Sequence, residues 1–328
     1  MKRVLTAALA AGMTVACLWL LLTPQVLAAL GRLGSQAKLM PLLVAFALIA
    51  LVQWLRAWRF AVMSTGRLAL PERPLIRIAL QLNFLNFVLP FRLGELSYPA
   101  LMRHQYGYGL VRSAGVLLLA RLFDLATVVA ILLGAAALLS ATPAGRAGLG
   151  LGALLFALAP FALALLGEAL WPRLLRVARL AQGGTDLRAA FPAIARGPAR
   201  LAVGLGFAIW FVFSLAAVLV ADAVVETVPP AAAMLGAAAG NIAFALPING
   251  LAGLGPAQAA WVLATTWAGV PREDAMVSAL ALHAVALLNA LLFGGLALAS
   301  GFGRRPAAAV SAQLPQPGSS RSGAQPSP

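Results

Sequence analysis

Apolar positions in this chain fall into long blocks separated by short polar stretches. Residues 4–22, 39–62, 113–139, 147–169, 201–221 and 275–300 each approach or exceed the roughly 20 apolar residues a helix needs to cross a bilayer. Two further blocks are interrupted. Residues 76–89 run only as far as Pro90, about 21 Å of helix against a hydrocarbon core of about 30 Å, and lead into LPFRLGELSYP at 89–99. Residues 229–268 hold two short halves parted by LPINGLAGLGP at 246–256. The pattern predicts an all-α integral membrane protein with about six full spans and two broken, re-entrant helical hairpins.

The polar intervals orient these elements. Basic residues cluster at Lys2 and Arg3, at 63–75 with Arg67 and Arg73, at Arg103 and Arg112, along 170–200 with six arginines, and at Arg304 and Arg305. Placing each cluster on the cytoplasmic side gives one consistent trace, with both termini inside. Asp222 and Glu226 fall outside, and QWLRAWRF, with Trp54, Arg56, Trp58 and Arg59, reads as an interfacial anchor. The first hairpin then enters from the cytoplasm and the second from outside. Residues 1–300 form one membrane domain whose halves, 1–140 and 147–300, are expected to be inverted repeats, and 301–328 form a disordered cytoplasmic tail.

Composition supports this reading. Apolar residues make up 62% of the chain and charged residues 10%. A net charge of +15 suggests nucleic acid in a soluble protein, but here the arginines lie at the ends of apolar blocks, which excludes that class. Cys17 is the only cysteine, so no disulfide or cysteine metal site forms within the chain. The first block imitates a signal peptide but is too long and is followed by more spans, so it is expected to remain as a helix. TVAC at 14–17 is a poor lipoprotein-type site.

The charges inside apolar blocks are the candidate chemistry, because a charge at mid-bilayer costs roughly 2.5–3.5 kcal/mol on insertion scales. Arg121 and Asp124 stand three apart in LLLARLFDLAT and share a helix face. Arg92 and Glu95 sit in the first break, with Asn86 before it and Pro90 and Gly94 interrupting the helix. Glu95 is expected to pair with Arg121 and leave Arg92 free for an anionic ligand, so that exchanging the charges of Glu95 and Arg121 restores what either single change loses. In the second break, Asn249, Gly250, Gly253, Gly255 and Gln258 offer close backbone approach and neutral polar contacts. His283 and Asn289 interrupt the last block. They are about 240° apart around a helix and form no common site; a lone histidine there is more often a packing residue than a ligand.

No HExxH, GxSxG, phosphate-cradling or metal-spaced motif occurs, so neither cofactor nor metal is expected, and enzymatic activity is less expected than transport. Whether Glu95 and Asp124 do chemistry, bind a cation or only pair with arginine stays open.

N-x-x-L-P-x-R-x-G-E from Asn86 to Glu95, then R-L-x-D from Arg121 to Asp124, then the glycine-rich LP stretch at 246–255, together resemble the transmembrane region of lysylphosphatidylglycerol synthase/flippase proteins. The resemblance spans about 5–300. It implies a polytopic inner-membrane protein of bacterial type that translocates or binds a polar-headed lipid, anionic, aminoacylated or isoprenoid. Departures include Ala120 where a glutamate usually stands and Pro256-Ala257-Gln258 where the glycine motif often ends in Arg-Glu. A soluble aminoacyltransferase domain is not expected in the short tail. The alternatives are a membrane enzyme or an accessory subunit acting on lipid-linked substrates. The partners implied are membrane lipids and a lipid-modifying enzyme.

Overall fold

A computed structural model describes residues 37–65, 70–178, 198–246 and 250–300. The first apolar block, residues 179–197 of the arginine-rich loop, Asn249 and the 301–328 tail lie outside the described residues. Five helices are long and apolar enough to cross a membrane, and they coincide with the other five full spans expected from the sequence. They are α1 (Leu39–Thr65), α4 (Leu110–Leu139), α5 (Pro143–Ala178), α6 (Pro198–Val224) and the run from α9 (Arg272–Asn289) through a π-helical turn at Ala290–Gly294 into α10 (Gly295–Ala299).

Between the spans sit the interrupted elements. The first is α2 (Arg73–Val88), a 3-10 turn at Pro90–Leu96 and α3 (Ser97–Tyr106); the second is α7 (Pro230–Ala245), a 3-10 turn at Leu251–Gly253 and α8 (Pro256–Trp267). Both α2 and α7 are 16 residues long, about 24 Å of rise, and too short to span. Both end for the same reason. A residue before proline is pushed out of the helical region, and Leu89 (φ −85°, ψ 133°) and Leu246 (φ −73°, ψ 144°) are extended ahead of Pro90 and Pro247. The first interruption is 3-10 helix running directly into α3.

Antiparallel packing of α1 against α6 forms the centre of the bundle. The Lys38 amide donates to the Ala223 carbonyl at 2.9 Å, and Lys38 Nζ lies 3.2 Å from Glu226 and 3.7 Å from Asp222. The start of α1 and the end of α6 therefore share one end of the molecule. At the other end the Tyr98 ring packs on Phe60 with centroids 4.5 Å apart, and its hydroxyl is 3.1 Å from Ser64 Oγ. Arg112 donates to the Ser64 carbonyl at 2.7 Å and lies over Tyr108, closing the last turn of α1. Asn289 is fully buried and donates to the Phe46 carbonyl, so it staples the last span to α1.

This arrangement fixes which positions share a side of the membrane. In a Cys17→Ser background, Lys38→Cys and Glu226→Cys are expected to react with an impermeant maleimide from the same side of the membrane, and His104→Cys from the opposite side. Labelling of all three from one side would contradict the packing.

Candidate functional site

Asp124 lies near the middle of α4, about 21 Å from its start, where water cannot serve it. Three neighbours do. Arg59 of α1 donates to both carboxylate oxygens, at 2.6 and 3.0 Å; Trp210 Nε1 of α6 donates to Oδ1 at 2.6 Å; Arg121 donates to Oδ2 at 3.1 Å. Arg59 is 0% exposed and Asp124 6%. A buried ion pair repays its desolvation only when its geometry is good and its remaining polar groups are satisfied; here the pairing is bidentate and the carboxylate is filled, while Arg59 Nε is left without a partner. Arg59 is thus no interfacial anchor. Six more residues of helix follow it, placing it about 9 Å inside the end of α1.

Arg121 carries the network on to the first break. Its Nη2 is 2.8 Å from Glu95 Oε1 and its Nε 3.2 Å from Oε2, the pairing expected from the sequence. Arg92, however, is not free. It makes a close ion pair with Glu95, donates to the Phe244 carbonyl at 3.1 Å and lies 5.2 Å over the Phe244 ring. A residue at φ 53°, in the left-handed region that non-glycine residues rarely adopt, gives Arg92 this reach. Gly94 permits the turn to lie against α2, because a Cβ there would fall 2.5 Å from the Leu85 carbonyl carbon and 2.6 Å from Asn86 Oδ1. Guanidinium and carboxylate groups alternate from Arg59 through Asp124, Arg121 and Glu95 to Arg92, and end on the carbonyl of α7.

The network forms one wall of a cavity of about 570 Å³. Of the residues singled out from sequence, Asn86, Arg92, Glu95, Arg121, Asp124, Gln258 and His283 line it. Gly94, Gly250, Gly253 and Gly255 shape the breaks but do not face the cavity. Gly253 (φ 72°) fits against Phe244, whose ring a Cβ would meet at 2.8 Å, and the Gly255 amide donates to Gln258 Oε1 at 2.7 Å, which holds the start of α8. Pro90 opens the 3-10 turn. The imidazole of His283 lies 5.8 Å from the Phe87 ring, whose other neighbour is Phe244. Among the described residues no three His, Cys, Asp or Glu side chains stand where they hold a metal ion.

Sequence reasoning missed Gln53, Arg56, Asn83, Trp210 and Asn241, which also line the cavity. Four arginines therefore face two carboxylates, leaving two positive charges in excess. The arginine that forms no ion pair with a described residue is Arg56, whose guanidinium lies 5.6 Å over the Trp210 ring. A signal for it existed: Gln53, Arg56 and Arg59 are spaced by three, so polar groups line one face of an otherwise apolar helix.

Removing one partner of a buried ion pair costs roughly 3–5 kcal/mol, whereas replacing both with apolar residues is often neutral. Asp124→Leu alone should therefore lower the melting temperature sharply, and Arg59→Met with Asp124→Leu should recover much of it; a single variant that melts like the parent would contradict the bridge. Exchange of the Glu95 and Arg121 charges, in contrast to the sequence expectation, should not rescue stability. It sets a new arginine against Arg92 and a new glutamate against Asp124.

No curated protein and no solved structure matches the chain. Residues 4–294 match the family described as the lysylphosphatidylglycerol synthase TM region. That match spans most of the 328 residues and includes both broken elements and the whole charge network. The chain belongs to the lysylphosphatidylglycerol synthase TM-region family, and is a multi-pass helical membrane protein related to lipid handling.

Proposed function

We propose that the protein binds a polar-headed anionic lipid between its two interrupted elements and translocates it across a bacterial-type inner membrane, in the manner of a flippase. The observation that carries this reading is the electropositive cavity, lined by four arginines and two carboxylates, of which Arg56, Arg59, Arg121 and Asp124 stand on helices long enough to span and Arg92 and Glu95 on the first break. Uncompensated charge at that depth is costly, and such residues ordinarily mark a substrate path. Paired Gly/Pro-interrupted helices flank transporter sites in inverted-repeat proteins, and α2–α3 and α7–α8 are the corresponding pair under the inverted relation of halves proposed from the basic loops. Each carboxylate is already bound by two arginines, Asp124 by Arg59 and Arg121, Glu95 by Arg92 and Arg121. That arrangement favours charge balance over acid–base chemistry and speaks for a carrier over a membrane enzyme.

The direct measurement is a leaflet-resolved assay with headgroup-labelled lipids in vesicles containing the purified full chain. The rate for an anionic lipid should exceed that of protein-free vesicles. It should fall in Arg92→Gln, which takes one positive charge from the cavity wall and a donor from both Glu95 and the Phe244 carbonyl. Absence of movement for every lipid tried, anionic, aminoacylated or isoprenoid-linked, would end the proposal.

A further inference from the structure

Within the cavity the polar atoms are not evenly satisfied. Glu95 and Asp124 are saturated with arginine donors, and Gln258 is spent on the Gly255 amide. Buried atoms without a partner among the described residues occur on Arg59, Arg92, Asn86 and His283, and on two groups that share one face of α1 and take part in no ion pair. Arg56 forms no ion pair with a described residue, and its buried Nε has no hydrogen-bond partner among them. One turn earlier, Gln53 is 4% exposed, and its Oε1 is buried without a donor. An unpaired buried donor or acceptor carries its full desolvation cost, about 1–3 kcal/mol and more for a charged group. Here an unsatisfied cationic donor and an unsatisfied neutral acceptor stand three residues apart, on the same side of a helix, facing about 570 Å³ of space.

The cavity also reaches the flank of the bundle. Leu122 and Leu125 line it and are 51% and 48% exposed, and Ala245 at the end of α7 both lines it and is exposed. Leu118 and Leu246 are exposed nearby in the chain. The opening thus falls near the midpoint of α4 among lipid-facing side chains. A molecule entering there would keep its acyl chains in the hydrocarbon while its head reached α1.

We infer that Arg56 is the anion-binding residue of this cavity, taking the phosphate of a phosphodiester lipid, and that Gln53 accepts a hydrogen bond from a hydroxyl or amine on the same headgroup. The inference rests on the proposed lipid site and names its determinants. Arg92, the cation the sequence suggested, is already held by Glu95 and Phe244, so Arg56 supplies the free charge. The Trp210 ring beneath the guanidinium keeps Arg56 aimed into the cavity.

Detergent-purified full chain titrated calorimetrically with three probes tests this. Dihexanoylphosphatidylglycerol carries a phosphodiester and hydroxyl donors; dihexanoylphosphatidylmethanol has the same charge but no donor; the free glycerol phosphate diester, glycerophosphoglycerol, has the same charged head without the chains. The parent should bind phosphatidylglycerol more tightly than phosphatidylmethanol, and glycerophosphoglycerol weakest. Arg56→Gln should weaken both lipids roughly tenfold or more, with Arg56→Lys recovering much of the loss. Gln53→Leu should weaken phosphatidylglycerol alone, so that the two lipids bind alike. Unchanged lipid affinity in a folded Arg56→Gln variant would overturn the assignment, as would glycerophosphoglycerol binding as tightly as the lipids. If Arg56→Gln does not fold, the Gln53→Leu arm decides, and an unchanged preference between the two lipids overturns the inference. Arg56-dependent binding without movement in vesicles would instead defeat the transport reading and leave this one standing.

Discussion

The buried bridge between Arg59 and Asp124 is the interaction on which the other contacts of the site depend. It joins α1 to α4 near mid-membrane, recruits Trp210 from α6, and so fixes three long helices against one another at a single carboxylate. Apolar packing alone discriminates poorly among helix arrangements when the surrounding lipid is as apolar as the side chains. A charged pair has a narrow set of geometries in which it is satisfied, and every alternative exposes a charge to hydrocarbon. With Asp124 held, Arg121 one turn earlier is fixed, and Glu95 is drawn to it from the first break.

The interrupted elements are held by a different balance. Leu-Pro steps end α2 and α7 because the residue before proline cannot stay helical, and freed carbonyls then need donors. At α7 the Phe244 carbonyl receives one from Arg92, so the strained turn of the first element closes the helix end of the second. Phe87 and Gly253 pack on Phe244 from the same region. The two breaks are therefore one structural unit, although more than 150 residues separate Arg92 from Phe244.

Much of the architecture was legible because it follows from local rules. Run lengths gave the spans, and the two Leu-Pro steps marked where helices had to stop. The Arg121–Asp124 spacing and its link to Glu95 were also readable, since charges this deep require partners. What escaped was partner choice across the bundle. Arg59 lies close enough to the end of α1 to pass for an anchor, and only packing against α4 and α6 shows that it is buried. The same ambiguity hid Arg56 and transferred its role to Arg92. Sequence gives the number of charges near the membrane centre but not which of them neutralise each other, because pairing is set by helix rotation and register.

That distinction matters for what the cavity can hold. Two surplus positive charges attract an anion into a poorly polarisable space, yet a phosphodiester brings only one negative charge. On the proposed reading the occupied site remains positive by one. That residual charge adds to the attraction, so release depends on keeping direct contacts few, because passage requires binding favourable enough to enter and weak enough to leave. Arg92, Arg121 and Arg59, each already in an ion pair, add field, while Arg56, which has none among the described residues, offers the direct contact. Dividing the arginines in this way, three to build the wall and one to meet the ligand, reconciles a rigid charged network with a headgroup that must also leave.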